Sequence, residues 1–496
     1  MAYRKRTMLA TALLAGLLLV AACQPPGDTT APALSLASPH DGDTLSQGTI
    51  IIEALATDDV AMMKVEFYVD GALKGTDSSG IADTFACAWD ASSEGVGSQH
   101  TIKATARDAS DNTTSKTITI TIAAGSGGAT HHNVDIWADE TWSPSGNPHI
   151  IDRTIMVAGA GMLTIEPGCI VKFAAGAALY CALGINFDGG IKAVGTADST
   201  ILFTSDAATP QKGDWKFVAI GDRTLPATEF SYCTFEYGGG ATDSGEVLLW
   251  AVNPAKFDHC TIRQSGDYGV VCAGAATGFG TFTNNTVTAN DRYPISIYPA
   301  KVPAIGAGNV LTGNAQSGVE VVCAANSHFV SATATWANLG VPYVLTGDLF
   351  VGEYTSPVLT IAPGCTLKMP AGTTFNVGYY PTAPGGLIAD GTGGQIVFTS
   401  SLASPAPGNW YGIVFGAGSA ALPCSLVNCK VEYGGGDATT RSDIYTYNST
   451  PTITGSTIGY SSTWGIFLDG TAHADSAQLE ADNTFLDCAG GHVGHP

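Results

Sequence analysis

The sequence predicts an all-β protein, a small sandwich followed by a long solenoid of stacked short strands. Three observations carry that prediction. Charged residues make up only 13% of the chain while glycine reaches 61 of 496 residues, a balance that fits short strands and tight turns. Apolar and polar residues alternate with period two in several short runs, as half-buried strands require. The last two thirds of the chain repeats itself at two nested periods, the mark of units that bury their faces by stacking on neighbours.

Taken in order, Arg4, Lys5 and Arg6 precede a short apolar stretch, Met8 to Val20, too short to span a bilayer comfortably and arranged as a secretory signal over residues 1–22. The run Leu19-Val20-Ala21-Ala22-Cys23 resembles the lipobox of bacterial lipoproteins. That resemblance implies acylation of Cys23, a membrane partner through lipid, and, with Gln24 next, sorting to the outer membrane or cell surface. Residues 23–30 form a polar tether. Loss of the signal removes three basic residues and no acidic ones, moving the formal charge from −22 to −25. A chain this acidic repels phosphate backbones, so nucleic acid is excluded as a partner.

Residues 31–123 read as the sandwich. Val65, Phe67 and Val69 alternate with polar neighbours, Asp70-Gly71 supplies a hairpin turn, and Ile102 to Ala106 and Ile118 to Ile122 alternate again. About seven strands in about ninety residues fit two packed sheets. Ala33–Asp43, Lys64–Gly71 and Ala104–Asn112 resemble the immunoglobulin-like modules of bacterial surface proteins and polysaccharide-degrading enzymes. In those proteins such modules are spacers or accessory binding units. Residues 124–132, with Gly125 to Gly128, are a linker.

The remainder divides into two copies, residues 133–327 and 328–496. Leu163 to Cys169 returns as Leu359 to Cys365, Ile201 to Ser205 as Ile396 to Ser400, Gly213-Asp214-Trp215 as Gly408-Asn409-Trp410, and Glu236 to Gly240 as Glu432 to Gly436. Within the copies, Cys233, Cys260, Asn285 and Asn309 open equivalent short strands 24 to 27 residues apart. Leu163–Phe173, Gly190–Ser205 and Tyr232–Gly240 resemble segments of right-handed parallel β-helix proteins. Alternation turns Cys233, Cys260, Asn285 and Asn309 inward as a column of small residues, with Cys429, Ser456 and Asn483 in the second copy. A Cys233–Cys260 disulfide is the alternative.

Candidate sites follow from these columns. Glu236 and Arg263 stack as an outer-face salt bridge, and with Asp267, Asp291 and Arg292 they form the one plausible catalytic cluster. The β-helix resemblance implies polysaccharide lyases, which join carboxylate-held calcium to a basic residue, or hydrolases with paired carboxylates. Against catalysis, Gly459 replaces Arg263 in the second copy. Trp215 and Trp410, if exposed, would stack on sugar rings. Asp58, Asp59, Asp108 and Asp111 lie at loop ends that converge on one Ca²⁺. His131-His132 reads as a solvated stretch. The sequence therefore favours a lipid-anchored binding or scaffolding rod without catalysis, contacting carbohydrate or another surface component. Duplication gives such a rod reach or avidity. The alternative is a surface polysaccharide lyase or glycoside hydrolase with an accessory immunoglobulin-like module.

Overall fold

The structure is a computed structural model that describes residues 28–496 apart from 47, 81–82, 92–93, 96, 124–128, 185–186, 251–254, 325–327, 438, 440 and 472–473. The signal, Cys23 and the start of the tether lie outside the described residues. The chain divides into two compact units, Met1–Ser126 and Gly127–Pro496. Among the described residues the one α-helix is Ser476–Asp482, and no helix is long and apolar enough to cross a membrane.

The first unit is a sandwich of two sheets. One carries Ala33–Ser38, Thr49–Thr57 and Thr84–Asp90; the other runs Thr44–Ser46, Thr113–Ala123, Gln99–Asp108, Met62–Val69, Ala72–Asp77. Alternation buries Ile52, Val65, Phe67, Trp89, Ile102 and Ile120 in a core of its own. Asp70 and Gly71 both take positive φ, 49° and 80°, the backbone a two-residue hairpin needs for its twist to match the strands. Cys87 is a free thiol.

The second unit is a β-helix whose coils each pass through three parallel sheets, five sheets in all. In the first copy, each coil passes from sheet one (Gly161–Ile165 and its stacked neighbours) to sheet two (Ile170–Phe173) and then sheet three (Leu179–Cys181). A single core runs inside from Ile136 to Leu479. Aromatic rings stack coil on coil within it, Phe203 on Phe235 at 4.6 Å and Phe230 on Phe257 at 4.9 Å. Each such ring adds about 1.5–3 kcal/mol of burial, available only once the next coil covers it.

Sheet three has thirteen strands and continues through both copies. The copies do not stack in phase, however. Ile170–Phe173 lies in sheet two, whereas its repeat counterpart Thr366–Met369 lies in sheet three. Counterparts of the first copy's sheet-one strands (Val358–Ile361, Gly386–Asp390, Cys424–Val427, Thr452–Thr454) form sheet four with Ala334–Trp336, and counterparts of its sheet-three strands (Thr374–Val377, Gly412–Phe415, Ser442–Tyr447, Trp464–Asp469) form sheet five, which begins at Phe329–Val330. The offset arises in the connecting coil. There the 3₁₀ segment Pro299–Ala304 and isolated bridges at Ile305 and Val310 replace regular strands. The second copy is thus rotated about the helix axis by one sheet.

The inward column holds. Cys233, Cys260 and Asn285 are buried, and Asn285 Oδ1 accepts from the Cys260 N–H at 2.8 Å while Asn309 Oδ1 accepts from the Asn285 N–H at 2.9 Å. Each amide therefore satisfies the coil before it. No disulfide forms: all eleven described cysteines are free, and the Cys233 and Cys260 thiols point at the carbonyls of Ala193 and Phe230. His132 departs from the solvated reading. It is buried, stacked on Trp142 at 3.9 Å and hydrogen-bonded to His149 at 3.0 Å.

Candidate functional sites

In the sandwich, Asp58 and Asp108 converge with a third carboxylate, Asp28, with one oxygen from each within 4.8 Å of the others. Asp108 is fully buried and its Oδ1 accepts from the N–H groups of Ser110 and Asn112, both at 2.8 Å. Asp58 Oδ2 accepts from Val60 and Ala61, while its Oδ1 and Asp28 Oδ2 are shielded from solvent without a hydrogen-bond partner. Two orphaned carboxylate oxygens beside a buried third form an oxygen-only donor set that suits a hard divalent cation such as Ca²⁺. Asp59 and Asp111 are corrected out of the set. Asp59 faces Thr30 at 3.4 Å, and Asp111 is held by Arg107 at 2.9 Å. Asp28 was missed because it lies in the tether, which Asn112 fastens to the sandwich through the Asp28 carbonyl.

The repeated Glu-Tyr-Gly-Gly-Gly segment is a corner between sheets. Trp215 and Trp410 are fully buried there, so neither presents a ring face to a sugar, which corrects the platform expectation. Each indole N–H donates to a main-chain carbonyl, Trp215 to Glu236 at 3.0 Å and Trp410 to Glu432 at 2.8 Å. Gly238 must be glycine, since a Cβ would meet the Trp215 ring at 2.9 Å. Beneath the corner, the fully buried Glu246 accepts from the Gly238 N–H at 2.8 Å, and Asp443 accepts from Gly434 at 2.6 Å. The second oxygen of each has no partner. Burial pushes both carboxyls well above the ordinary range. This matched pair escaped sequence comparison because residue type differs and the acids follow their glycines by eight and nine positions.

The five residues expected to form one catalytic cluster resolve into three separate ion pairs instead. Arg263 donates twice to Glu236, at 2.9 and 2.7 Å, Lys212 holds Asp291 at 2.6 Å, and Arg292 faces Asp267 at 3.6 Å. The first is the expected ladder pair, and with Arg263 about half exposed it contributes at most about 1 kcal/mol. Asp267 is buried, with one oxygen lacking a hydrogen bond. Burial raises its pKa against the opposing Ser244 N–H and Arg292.

Arg292 belongs to a larger arrangement on the outer face of sheet three. Its guanidinium lies 4.1 Å over the Tyr268 ring and donates to Asp243 at 2.9 Å. Tyr268 Oη donates to Glu320 at 2.9 Å, and Ser296 Oγ donates to the same carboxylate at 2.7 Å. Burial opposes the charge on Arg292, but Tyr268, Asp243, Asp267 and Glu320 outweigh it and its pKa is raised. Arg292 is therefore held as a cation beside these acids. Burial and Glu320 raise Tyr268 likewise, keeping its proton on oxygen. Register places Tyr180, Ala219, Leu248, Val271, Ser296 and Glu320 in one outward column. The acid–Tyr–Arg group thus ends an apolar strip that includes Phe217 and Tyr268.

Three families match parts of the chain: a bacterial Ig domain over residues 32–104, a pectate-lyase like beta helix domain over 136–246 and a right handed beta helix region over 215–334. The chain is an immunoglobulin-like domain followed by a right-handed β-helix. Both β-helix matches fall mainly on the first copy, the second running a few residues into the second copy. The pectate-lyase-like match overturns the expectation of a rod without catalysis. Among solved structures, the fibronectin(III)-like modules of Clostridium thermocellum CbhA share 24% identity over 21% of this chain and 52% of theirs, at a TM-score of 0.17. The endo-beta-1,4-mannanase of Thermotoga petrophila shares 16% over 20% of this chain and 21% of its own, at 0.16. The chain therefore spans about half of the first and a fifth of the second. No curated protein matches it.

Proposed function

We propose that this protein is an exported polysaccharide lyase or glycoside hydrolase, lipid-anchored at Cys23, with its working surface on the outer face of sheet three in the first copy. The observation that carries this is the Arg292–Tyr268–Glu320–Ser296 group. The second copy has Trp464 where the first has Tyr268. Glu320 is a half-buried carboxylate that accepts from a tyrosine whose proton is held in place, and Arg292 stays charged beside them. Glu320 supplies a carboxylate base and Arg292 a cation that orients the substrate for proton transfer at a glycosidic linkage, with Tyr268 and Ser296 holding the carboxylate in place.

The test is incubation of the full chain with acidic and neutral polysaccharides, following new reducing ends and the ultraviolet absorbance of unsaturated uronates. Cleavage is expected, and Glu320→Gln should lower it by about 10²–10⁴-fold while leaving the thermal midpoint in place. Wild-type protein that releases neither product from any substrate sinks the reading.

In the sandwich, Asp28, Asp58 and Asp108 would hold Ca²⁺ and so tie the tether to the domain. Added calcium should raise the melting temperature of the sandwich transition by calorimetry of the full chain. Asp58→Asn should abolish that rise, and an equal rise in the variant would remove the site.

A further inference from the structure

We propose that the outer face of sheet five, in the second copy, is a binding site for a neutral, hydroxyl-rich polysaccharide chain. This rests on the reading of the protein as polysaccharide-active but assigns a separate surface and a ligand class. The register aligns Phe329, Phe350, Asn376, Val414, Tyr445 and Phe467 in one outward column, the counterpart of the apolar strip in the first copy. Tyr379 packs edge-on against Phe350 at 6.2 Å and against Tyr380 at 4.7 Å, and Tyr445 stacks on Phe467 at 6.2 Å. Across the six strands the rings form two groups, Phe329, Phe350, Tyr379 and Tyr380 at one end and Tyr445 and Phe467 at the other, with Asn376 and Val414 between them. At ~4.8 Å per strand the whole is roughly 24 Å, the span of an oligosaccharide rather than of one sugar.

The two counterpart strips differ in access. In the first copy Ala219, Leu248 and Val271 are buried, with Phe217 and Tyr268 packed over them. In the second, Asn376, Val414 and Phe467 are buried as well, and the difference lies in the flanking tyrosines, where Tyr379, Tyr380 and Tyr447 are 45%, 58% and 45% exposed. Among the described residues every exposed tyrosine lies in the second copy. Rings with a hydroxyl rim suit a pyranose, whose C–H face is apolar and whose edge is polar. Asp469, which accepts from Tyr445 Oη at 2.6 Å, adds an acceptor at the margin.

Charge decides which glycan. Residues 328–496 contain three Lys and Arg against eleven Asp and Glu. Lys368 and Lys430 sit on sheet three, where Lys430 pairs with Glu432, and the third, Arg441, is exposed just before the sheet-five strand Ser442–Tyr447. A uronate polymer would meet net repulsion that one arginine at the edge does not offset, whereas a neutral chain meets none.

Affinity electrophoresis of the full chain in gels containing a β-glucan, a mannan or polygalacturonate tests the proposal. Retardation is expected in a neutral gel and not in polygalacturonate. The double variant Tyr380→Ala/Tyr447→Ala, altered only at exposed rings, should weaken retardation at least tenfold with an unchanged thermal midpoint. Retardation confined to polygalacturonate, retardation equal in the variant, or none in any gel would overturn the proposal. Retention without cleavage by wild-type protein would instead count against the catalytic reading alone.

Discussion

The two copies of the β-helix share their corner chemistry and differ on their outer faces. At the corner, Trp215 and Trp410, the Gly-rich turns and the buried acids Glu246 and Asp443 match contact for contact. On the counterpart faces, one copy has a closed apolar strip ending in Arg292, Tyr268 and Glu320, and the other has open tyrosines. The difference teaches that duplication preserved what every coil needs to stack and released what solvent sees. A duplicated residue in this protein therefore reads first as packing, and a residue present in one copy is where function is to be sought.

The largest expected effect tests the shared part. Trp215→Ala and Trp410→Ala should each destabilise the β-helix by about 3–5 kcal/mol, measured by denaturant unfolding. A loss in either variant of under about 1 kcal/mol would break the equivalence of the corners.

The next test uses pH. Glu246 and Asp443 have pKa values raised by burial, so the fold favours their neutral forms. The stability they contribute is complete below the ordinary carboxylate range and is lost as pH rises through the raised values. Thermal midpoints followed from about pH 4 to about pH 9 should fall for wild-type protein, and more gently for Glu246→Gln and Asp443→Asn. Profiles parallel to wild type would show that the two carboxyls are not the titrating groups. A difference between the two variants would instead sharpen the comparison, by showing that one corner admits more water than the other.

Much of the fold was legible because its physics is local or periodic. Alternation marks the half-buried strands of the sandwich, Asp70-Gly71 can adopt the two positive φ values of its turn, and coil spacing lines up Cys233, Cys260 and Asn285. The Glu236–Arg263 pair was legible for the same reason, since one repeat separates them. Sites were less so. Spacing alone cannot tell whether an aromatic beside a corner faces in or out, and Trp215 and Trp410 face in. Nor can it join Asp28 to Asp108, because that contact depends on the tether lying back against the sandwich.

By itself, then, the sequence determined an all-β chain with a sandwich before a duplicated β-helix, because strand alternation and repeat period are properties of consecutive residues. Only the tertiary structure decided the rotation of one copy against the other. That rotation is set in the irregular coil around Pro299–Ala304, where no repeat constrains the path. It places counterpart strips on different sheets, one closed beside Glu320 and one open with exposed tyrosines, because a face is defined only when coils stack.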